Sequence, residues 1–98
     1  MIHSRKKDPA EILEFCDKFR AENSTTPIVV VPSSFNTITE AELADHGVNI
    51  VIYANQLTRT GFPAMQNAAK MILEHHRAKE CDDICMPFKE IIRLIPEE

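Results

Sequence analysis

A parallel α/β fold is what this sequence predicts, and three observations predict it. Two short runs, Ile28-Val29-Val30-Val31 and Val48-Asn49-Ile50-Val51-Ile52-Tyr53-Ala54, are rich in β-branched residues. Their apolarity is continuous rather than alternating, the pattern of strands covered on both faces in a parallel sheet. Stretches of helical periodicity lie between and after them, joined by short connections. The resulting order, β-α-β-α-β-α-α, requires parallel strands linked by crossover helices.

Each element has its own justification. Met1-Ile2-His3-Ser4 reads as the end of a first strand. Asp8 can cap a helix and Pro9 suits its first position. Ile12, Leu13, Phe15, Cys16 and Phe19 then recur at helical spacing, predicting a helix over residues 9–22 with one apolar face. Asn23-Ser24-Thr25-Thr26 is a polar loop, and the strand that follows is closed by Pro27 and Pro32. Thr39-Glu40-Ala41-Glu42 is a capping box that opens a short helix ending near Gly47. After the third strand, residues 48–54, a long helix is predicted from Phe62 or Pro63 to Lys79, with Met65, Ala68, Ala69, Ile72 and Leu73 as its inner face. Pro87 opens a last helix through Leu94, with Phe88, Ile91, Ile92 and Ile95 turned inward.

Composition narrows the classes of function. A length of 98 residues allows one domain at most. With 44% hydrophobic and 27% charged residues the chain is of the soluble globular kind, not a disordered one. A formal charge of −4 argues against nucleic acid or an anionic membrane as partner, since both call for a basic excess. No apolar run approaches the roughly 18 residues of a membrane span, and no signal peptide opens the chain. Cys16, Cys81 and Cys85 are odd in number and unevenly spaced, which fits reduced thiols in a cytoplasmic protein. A whole (β/α)8 barrel takes about 250 residues, so this chain is expected to supply about two fifths of one. The expected fold is therefore the last three β/α units of a TIM-like barrel with an extra C-terminal helix, the earlier barrel strands lying outside residues 1–98. Three strands alone leave two unpaired edges, so a non-catalytic remnant or an assembly module is an open alternative.

In parallel α/β proteins chemistry sits where strands end and helices begin. That rule marks His3-Ser4-Arg5-Lys6-Lys7, Pro32-Ser33-Ser34-Phe35-Asn36 and Tyr53-Ala54-Asn55-Gln56. The first combines an imidazole, a guanidinium and two ammonium groups, a natural receptor for a phosphate-like or carboxylate anion. On composition alone it also reads as a solvated basic loop with a half-buried histidine.

Ile2-His3-Ser4-Arg5-Lys6-Lys7-Asp8-Pro9, Val29-Val30-Val31-Pro32, Val51-Ile52-Tyr53-Ala54-Asn55 and the tail Cys85-Met86-Pro87-Phe88-Lys89-Glu90-Ile91-Ile92-Arg93-Leu94-Ile95-Pro96 together resemble the closing third of the phosphoenolpyruvate phosphomutase family, within the isocitrate lyase superfamily. The resemblance covers essentially the whole chain in order. It implies an isomerase that interconverts phosphoenolpyruvate and phosphonopyruvate with Mg²⁺, at the entry to phosphonate biosynthesis. It makes His3 the histidine at the end of the sixth barrel strand, in contact with the phosphoryl or phosphonyl group, with Ser4 and Arg5 supporting as substrate-binding residues. Ser33 and Asn55 become rim positions. The family's aspartate-rich metal site, gating loop and main substrate arginine belong to earlier strands, so the Mg²⁺ ligands are expected outside this chain and the chain alone is expected to be inactive. The resemblance extends to phosphonopyruvate hydrolase, whose corresponding segment is similar. It also implies a homo-oligomer in which the C-terminal helix packs on a neighbouring subunit.

His75-His76-Arg77-Ala78-Lys79-Glu80-Cys81-Asp82-Asp83-Ile84-Cys85 invites a zinc reading. The spacing opposes it, because adjacent histidines on a helix point about 100° apart and Cys-x₃-Cys lacks a knuckle turn. The expectation is polar-face histidines and cysteines acting as small hydrophobes.

Overall fold

A computed structural model describes residues 1–96 of the chain. They divide into two compact units, residues 1–56 and residues 57–96.

The first unit is built on parallel strands. Helix α1 spans Ala10–Glu22, β1 spans Val29–Val30, α2 spans Glu40–Asp45 and β2 spans Ile50–Val51. Val29 pairs with Ile50 and Val30 with Val51, both strands running the same way. Ile2 makes a further parallel bridge to Val30, its N–H donating to the Val29 carbonyl at 2.8 Å. The chain order of the three segments is thus their order across the sheet, with β1 in the centre. Ile28 and Val30 are buried with Ile12 and Cys16 of α1, Leu43 of α2, Phe35 and Val48 in a single cluster.

Local chemistry sets the boundaries. Asp8 accepts the Ala10 N–H at 2.9 Å, and Pro9, already in a helical conformation, leads into α1. The capping box of α2 forms in both directions: Glu42 N–H to Thr39 Oγ1 at 3.2 Å and Thr39 N–H to Glu42 Oε2 at 2.8 Å. Gly47, with φ +89°, reverses the chain after α2, a conformation that lacks a Cβ penalty only for glycine. Arg20 fastens this end of the unit, reaching Gly47 O twice, at 2.8 and 3.1 Å, with single bonds to Asn23 O, Thr26 O and Asn49 Oδ1. Asn49 Oδ1 also accepts the Ile28 N–H at 2.8 Å, so one side chain ties the start of β1 to the turn before β2.

The second unit carries most of α3, Gln56–His75, a 3₁₀ turn at Lys79–Cys81 and α4, Phe88–Ile91. Here the structure departs from the sequence expectations. Helix α3 begins at Gln56 rather than at Phe62 or Pro63, and Pro63 lies inside it. Residues 56–60 satisfy helical geometry ahead of the proline, whose missing N–H removes only one bond from the ladder. The helix ends at His75 rather than Lys79, because His76 takes the left-handed conformation, φ 53°, while its N–H still reaches Ile72 O at 2.8 Å. No residue of α3 is buried, and Met65, Ile72 and Leu73 of its apolar stripe are exposed. The last helix is a single turn rather than the stretch to Leu94, and Phe88, Ile91, Ile92 and Ile95 are exposed instead of turned inward. Ile50 and Ile52, at the strand expected to be covered on both faces, are likewise exposed. Periodicity identifies which face of an element is apolar, but burial requires a neighbour, and within these residues no layer covers those faces.

Candidate functional site

Parallel pairing has a geometric consequence for the marked stretches. Because Ile2, β1 and β2 run in one direction, the segments that follow them leave the sheet at the same edge. Residues 3–7, 31–37 and 52–55 are those segments; they contain the marked stretches 3–7 and 32–36 and, of 53–56, all but Gln56, which opens α3.

The candidate residues are placed differently from one another. Nδ1 of His3 lies 3.2 Å from the Val31 carbonyl oxygen. A carbonyl only accepts, so this bond places a proton on Nδ1 and ties the first post-strand segment to the second. The His3 ring is 6.4 Å from the ring of Phe35, tilted by 41°. Ser4 is 6% exposed and its Oγ accepts the Lys6 N–H at 3.2 Å, so its hydroxyl shapes the turn that presents its neighbours. Arg5 lines an open cleft of about 390 Å³ together with Lys7, Ser33, Ser34, Asn36 and Thr37. Lys6 is engaged elsewhere, 2.8 Å from Glu11 in the first turn of α1, and the hydrogen bond to that carboxylate raises the Lys6 pKa. Asn55, the other rim position, donates its N–H to Gln56 Oε1 at 3.2 Å and is not part of the cleft lining.

The structure therefore brings Arg5 and Ser33 into one cleft, with His3 and Ser4 fixing the segment that carries Arg5. The sequence counts Lys7 among the ammonium groups of the basic stretch and marks the stretch holding Ser34 and Asn36 without giving these two a role, and Thr37 carries no signal in it. Phe35 explains how the second wall is held. It is fully buried in the core cluster, so the residues on either side of it are drawn to the rim. Tyr53, at the end of the third segment, donates to Glu40 Oε1 at 2.6 Å, and this bond raises the phenol pKa.

Among the described residues no three His, Cys, Asp or Glu side chains are grouped to hold a metal ion. His76 terminates α3, Cys81 is buried with Sγ 3.6 Å from Ala68 O, and Cys85 is exposed. Burial pushes the Cys16 and Cys81 thiols up, which keeps both protonated and unreactive. No helix among the described residues is long and apolar enough to cross a membrane.

Comparison with known proteins adds the following. Residues 1–73 match the family model described as phosphoenolpyruvate phosphomutase. The phosphoenolpyruvate phosphomutase of Tetrahymena pyriformis is 30% identical over 98 residues, covering 100% of this chain and 32% of that protein. The phosphonopyruvate hydrolase of Variovorax sp. (strain Pal2) is 35% identical over 99 residues, covering 100% of this chain and 33% of that protein. Among solved structures, phosphoenolpyruvate phosphomutase from Streptomyces platensis subsp. rosaceus superposes with a TM-score of 0.84 at 32% identity, over 95% of this chain and 31% of its own. Phosphonopyruvate hydrolase in complex with oxalate and Mg²⁺ superposes with a TM-score of 0.78 at 36% identity, over 95% of this chain and 32% of its own. The chain spans about a third of the length of these relatives.

Proposed function

Because the chain belongs to the phosphoenolpyruvate phosphomutase family, we propose that it supplies the last three β/α units, and a C-terminal helix, of a (β/α)8-barrel isomerase that interconverts phosphoenolpyruvate and phosphonopyruvate. The observation that carries this reading is the family match over residues 1–73, a span that includes the cleft where Arg5 meets Ser33 at one sheet edge. Moving a phosphoryl group between oxygen and carbon spreads negative charge over its oxygens, and fixed cationic donors stabilise that charge. Arg5 offers a planar fork for two of those oxygens. With Nδ1 held by Val31, the other ring nitrogen of His3, Nε2, is left for a third. Ser4 holds the turn that orients both.

Mg²⁺ is the proposed cofactor of the complete enzyme, and it supplies Lewis-acid stabilisation there. The residues described here do not fit a metal centre, so no step on this chain runs through the ion. For the same reason the chain alone is proposed to be inactive. A second reading, phosphonopyruvate hydrolase, is favoured by the higher identity to that enzyme, 35% against 30%. In either case the substrate is a small phosphonate or phosphate and the compartment is the cytoplasm.

The test is ³¹P NMR of phosphonopyruvate with Mg²⁺, using the complete enzyme that carries this segment. Phosphoenolpyruvate as product identifies the isomerase, and pyruvate with inorganic phosphate identifies the hydrolase. His3→Ala is expected to lower kcat/KM by roughly 10²-fold, the scale of a lost charge-stabilising donor, and Arg5→Lys less. A His3→Ala enzyme within about twofold of wild type would leave the stretch a solvated loop. Metal-dependent turnover by the 98-residue chain alone would show that the metal ligands are misplaced.

The exposed Phe88, Ile91, Ile92 and Ile95 support a further part of the proposal, a homo-oligomer assembled through the C-terminal helix. Sedimentation equilibrium is expected to show dimers or larger species that shift towards monomer when residues 87–98 are removed. An unchanged distribution would remove that helix from the interface.

A further inference from the structure

A pair of thiols stands in the second unit. Cys81 is 4% exposed, and among the described residues 57–96 it is the only buried one. Its thiol donates to Ala68 O of α3 at 3.6 Å, joining the 3₁₀ turn to the long helix. Cys85 is exposed. Its N–H donates to Cys81 O at 2.9 Å, the pattern of one helical turn, which sets the two side chains on one face. Four residues at about 1.5 Å each put the two Cα atoms roughly 6 Å apart, inside the span of about 4.4–6.8 Å that a disulfide bridges. The two sulfurs also act on each other. Burial is the largest cause of the raised Cys81 pKa and the charge of Cys85 the next, ahead of the adjacent Glu80 and Asp82 carboxylates; a hydrogen bond between the thiols adds to it. Arg77 holds Glu80 at 2.6 Å and Lys79 holds Asp82 at 2.9 Å, ion pairs that brace the turn carrying both cysteines. Cys85 also lines an open cleft of about 310 Å³ with Ala64, Met65, Asn67, Ala68 and Ile84, a path by which a small neutral oxidant reaches the pair.

We propose that Cys81 and Cys85 are a redox pair, a modification site at which a peroxide closes an intramolecular disulfide. The exposed Cys85 meets the oxidant. Its sulfur attacks the O–O bond of hydrogen peroxide, which leaves Cys85 as a sulfenic acid and releases one water. The Cys81 sulfur then displaces the hydroxyl group, and the Cys81 proton leaves with it as a second water. Two thiols are oxidised and one peroxide is reduced to two waters, so atoms and electrons balance. Burial sets the order: Cys81 is shielded from oxidant in solution, and the sulfur within its reach is that of Cys85. A disulfide has no S–H to donate, so closure removes the Cys81 bond to Ala68 O and loosens the turn from α3. A small thiol such as glutathione reopens the bridge by exchange at the exposed Cys85 sulfur. Cys16, fully buried in the core of the first unit, is left reduced.

The experiment treats the folded chain with hydrogen peroxide, labels the remaining thiols with iodoacetamide under denaturing conditions and maps the product by mass spectrometry. The tryptic peptide of residues 80–89 holds both cysteines. It is expected to lose two hydrogens and take no label, and to take a label on each cysteine once reduced with glutathione. Cys16 is expected to carry its label throughout. In ¹H–¹⁵N spectra the amides of residues 64–68 and 79–85 are expected to shift on oxidation and return with glutathione, while those of α1 stay in place. Cys85→Ser is expected to leave Cys81 a free thiol at the same dose. Cys81→Ser is expected to stop Cys85 at the sulfenic acid, which dimedone traps. The same spectra report whether each variant is folded, and the mapping of the unaltered chain decides the matter where one is not. Cys85 carried to sulfinic acid or into a bridge between two chains, with Cys81 still free, would overturn the proposal. Oxidation of Cys16 as readily as of Cys81 would overturn it too, as the mark of a chain that opens rather than of a paired site.

Discussion

Phe35→Ala is expected to destabilise the first unit by about 3–5 kcal/mol, the range for truncating a fully buried aromatic ring. Its side chain has 0% exposure and packs in one cluster with Ile12, Cys16, Ile28, Val30, Leu43 and Val48. The backbone bond that Ser33 N–H makes in the loop before it is local, to Val31 O at 2.9 Å. Against a total stability of about 5–15 kcal/mol for a small domain, this loss leaves the chain near or past unfolding. Phe35→Leu retains most of the volume and is expected to lose clearly less. Urea unfolding followed by circular dichroism measures both. A loss below about 1 kcal/mol for Phe35→Ala would mean that the ring is not a core element.

Gly47→Ala is expected to lose about 2–4 kcal/mol through two effects that a glycine alone avoids. At φ +89° a Cβ strains the backbone, and it would stand 2.7 Å from both Cγ and Nε of Arg20 and 3.0 Å from Cδ. The clash cannot relax freely, since Arg20 is held by Gly47 O, Asn23 O, Thr26 O and Asn49 Oδ1. Arg20→Ala by itself forfeits those charged donors and is expected to cost about 2–3 kcal/mol, discounted because water reaches part of the site. The two changes should therefore not add. In the double variant the clash is gone, and only the backbone strain and the lost bonds remain, so the combined loss falls short of the sum. Strict additivity in urea unfolding would disprove the contact between the Gly47 backbone and the Arg20 stem.

Several local features were legible because nearest-neighbour chemistry decides them. Thr39 and Glu42 form the capping box that their spacing announces, Asp8 caps ahead of α1, and Gly47 takes the left-handed turn that ends α2. The strand segments follow from runs of β-branched residues, and their parallel order follows from the helices between them. The basic stretch after Ile2 was legible as a segment that leaves the end of a strand, and the parallel bridge of Ile2 to Val30 places it there. The start of α3 was not, because Pro63 at a helix start and Pro63 within a helix look alike until the preceding turn is seen to be helical. The role of Ser4 was also hidden: a serine beside histidine and arginine suggests a ligand, whereas burial turns its hydroxyl towards the Lys6 backbone.

The sequence by itself determined the parallel α/β class, the caps of α1 and α2, and the three stretches that follow the strands. These depend on periodicity, β-branching and hydrogen bonds between residues close in the chain. Only the tertiary structure decided that Arg5 and Lys7 share one cleft with Ser33, Ser34, Asn36 and Thr37 while Lys6 turns away to Glu11. It also decided that the apolar stripe of α3 and the Phe88 to Ile95 face remain exposed within these residues. The physical reason is the same in both cases. Which of three adjacent cations faces the cleft, and which apolar face finds cover, depend on strand register and on the presence of a packing partner, and neither is encoded in local spacing.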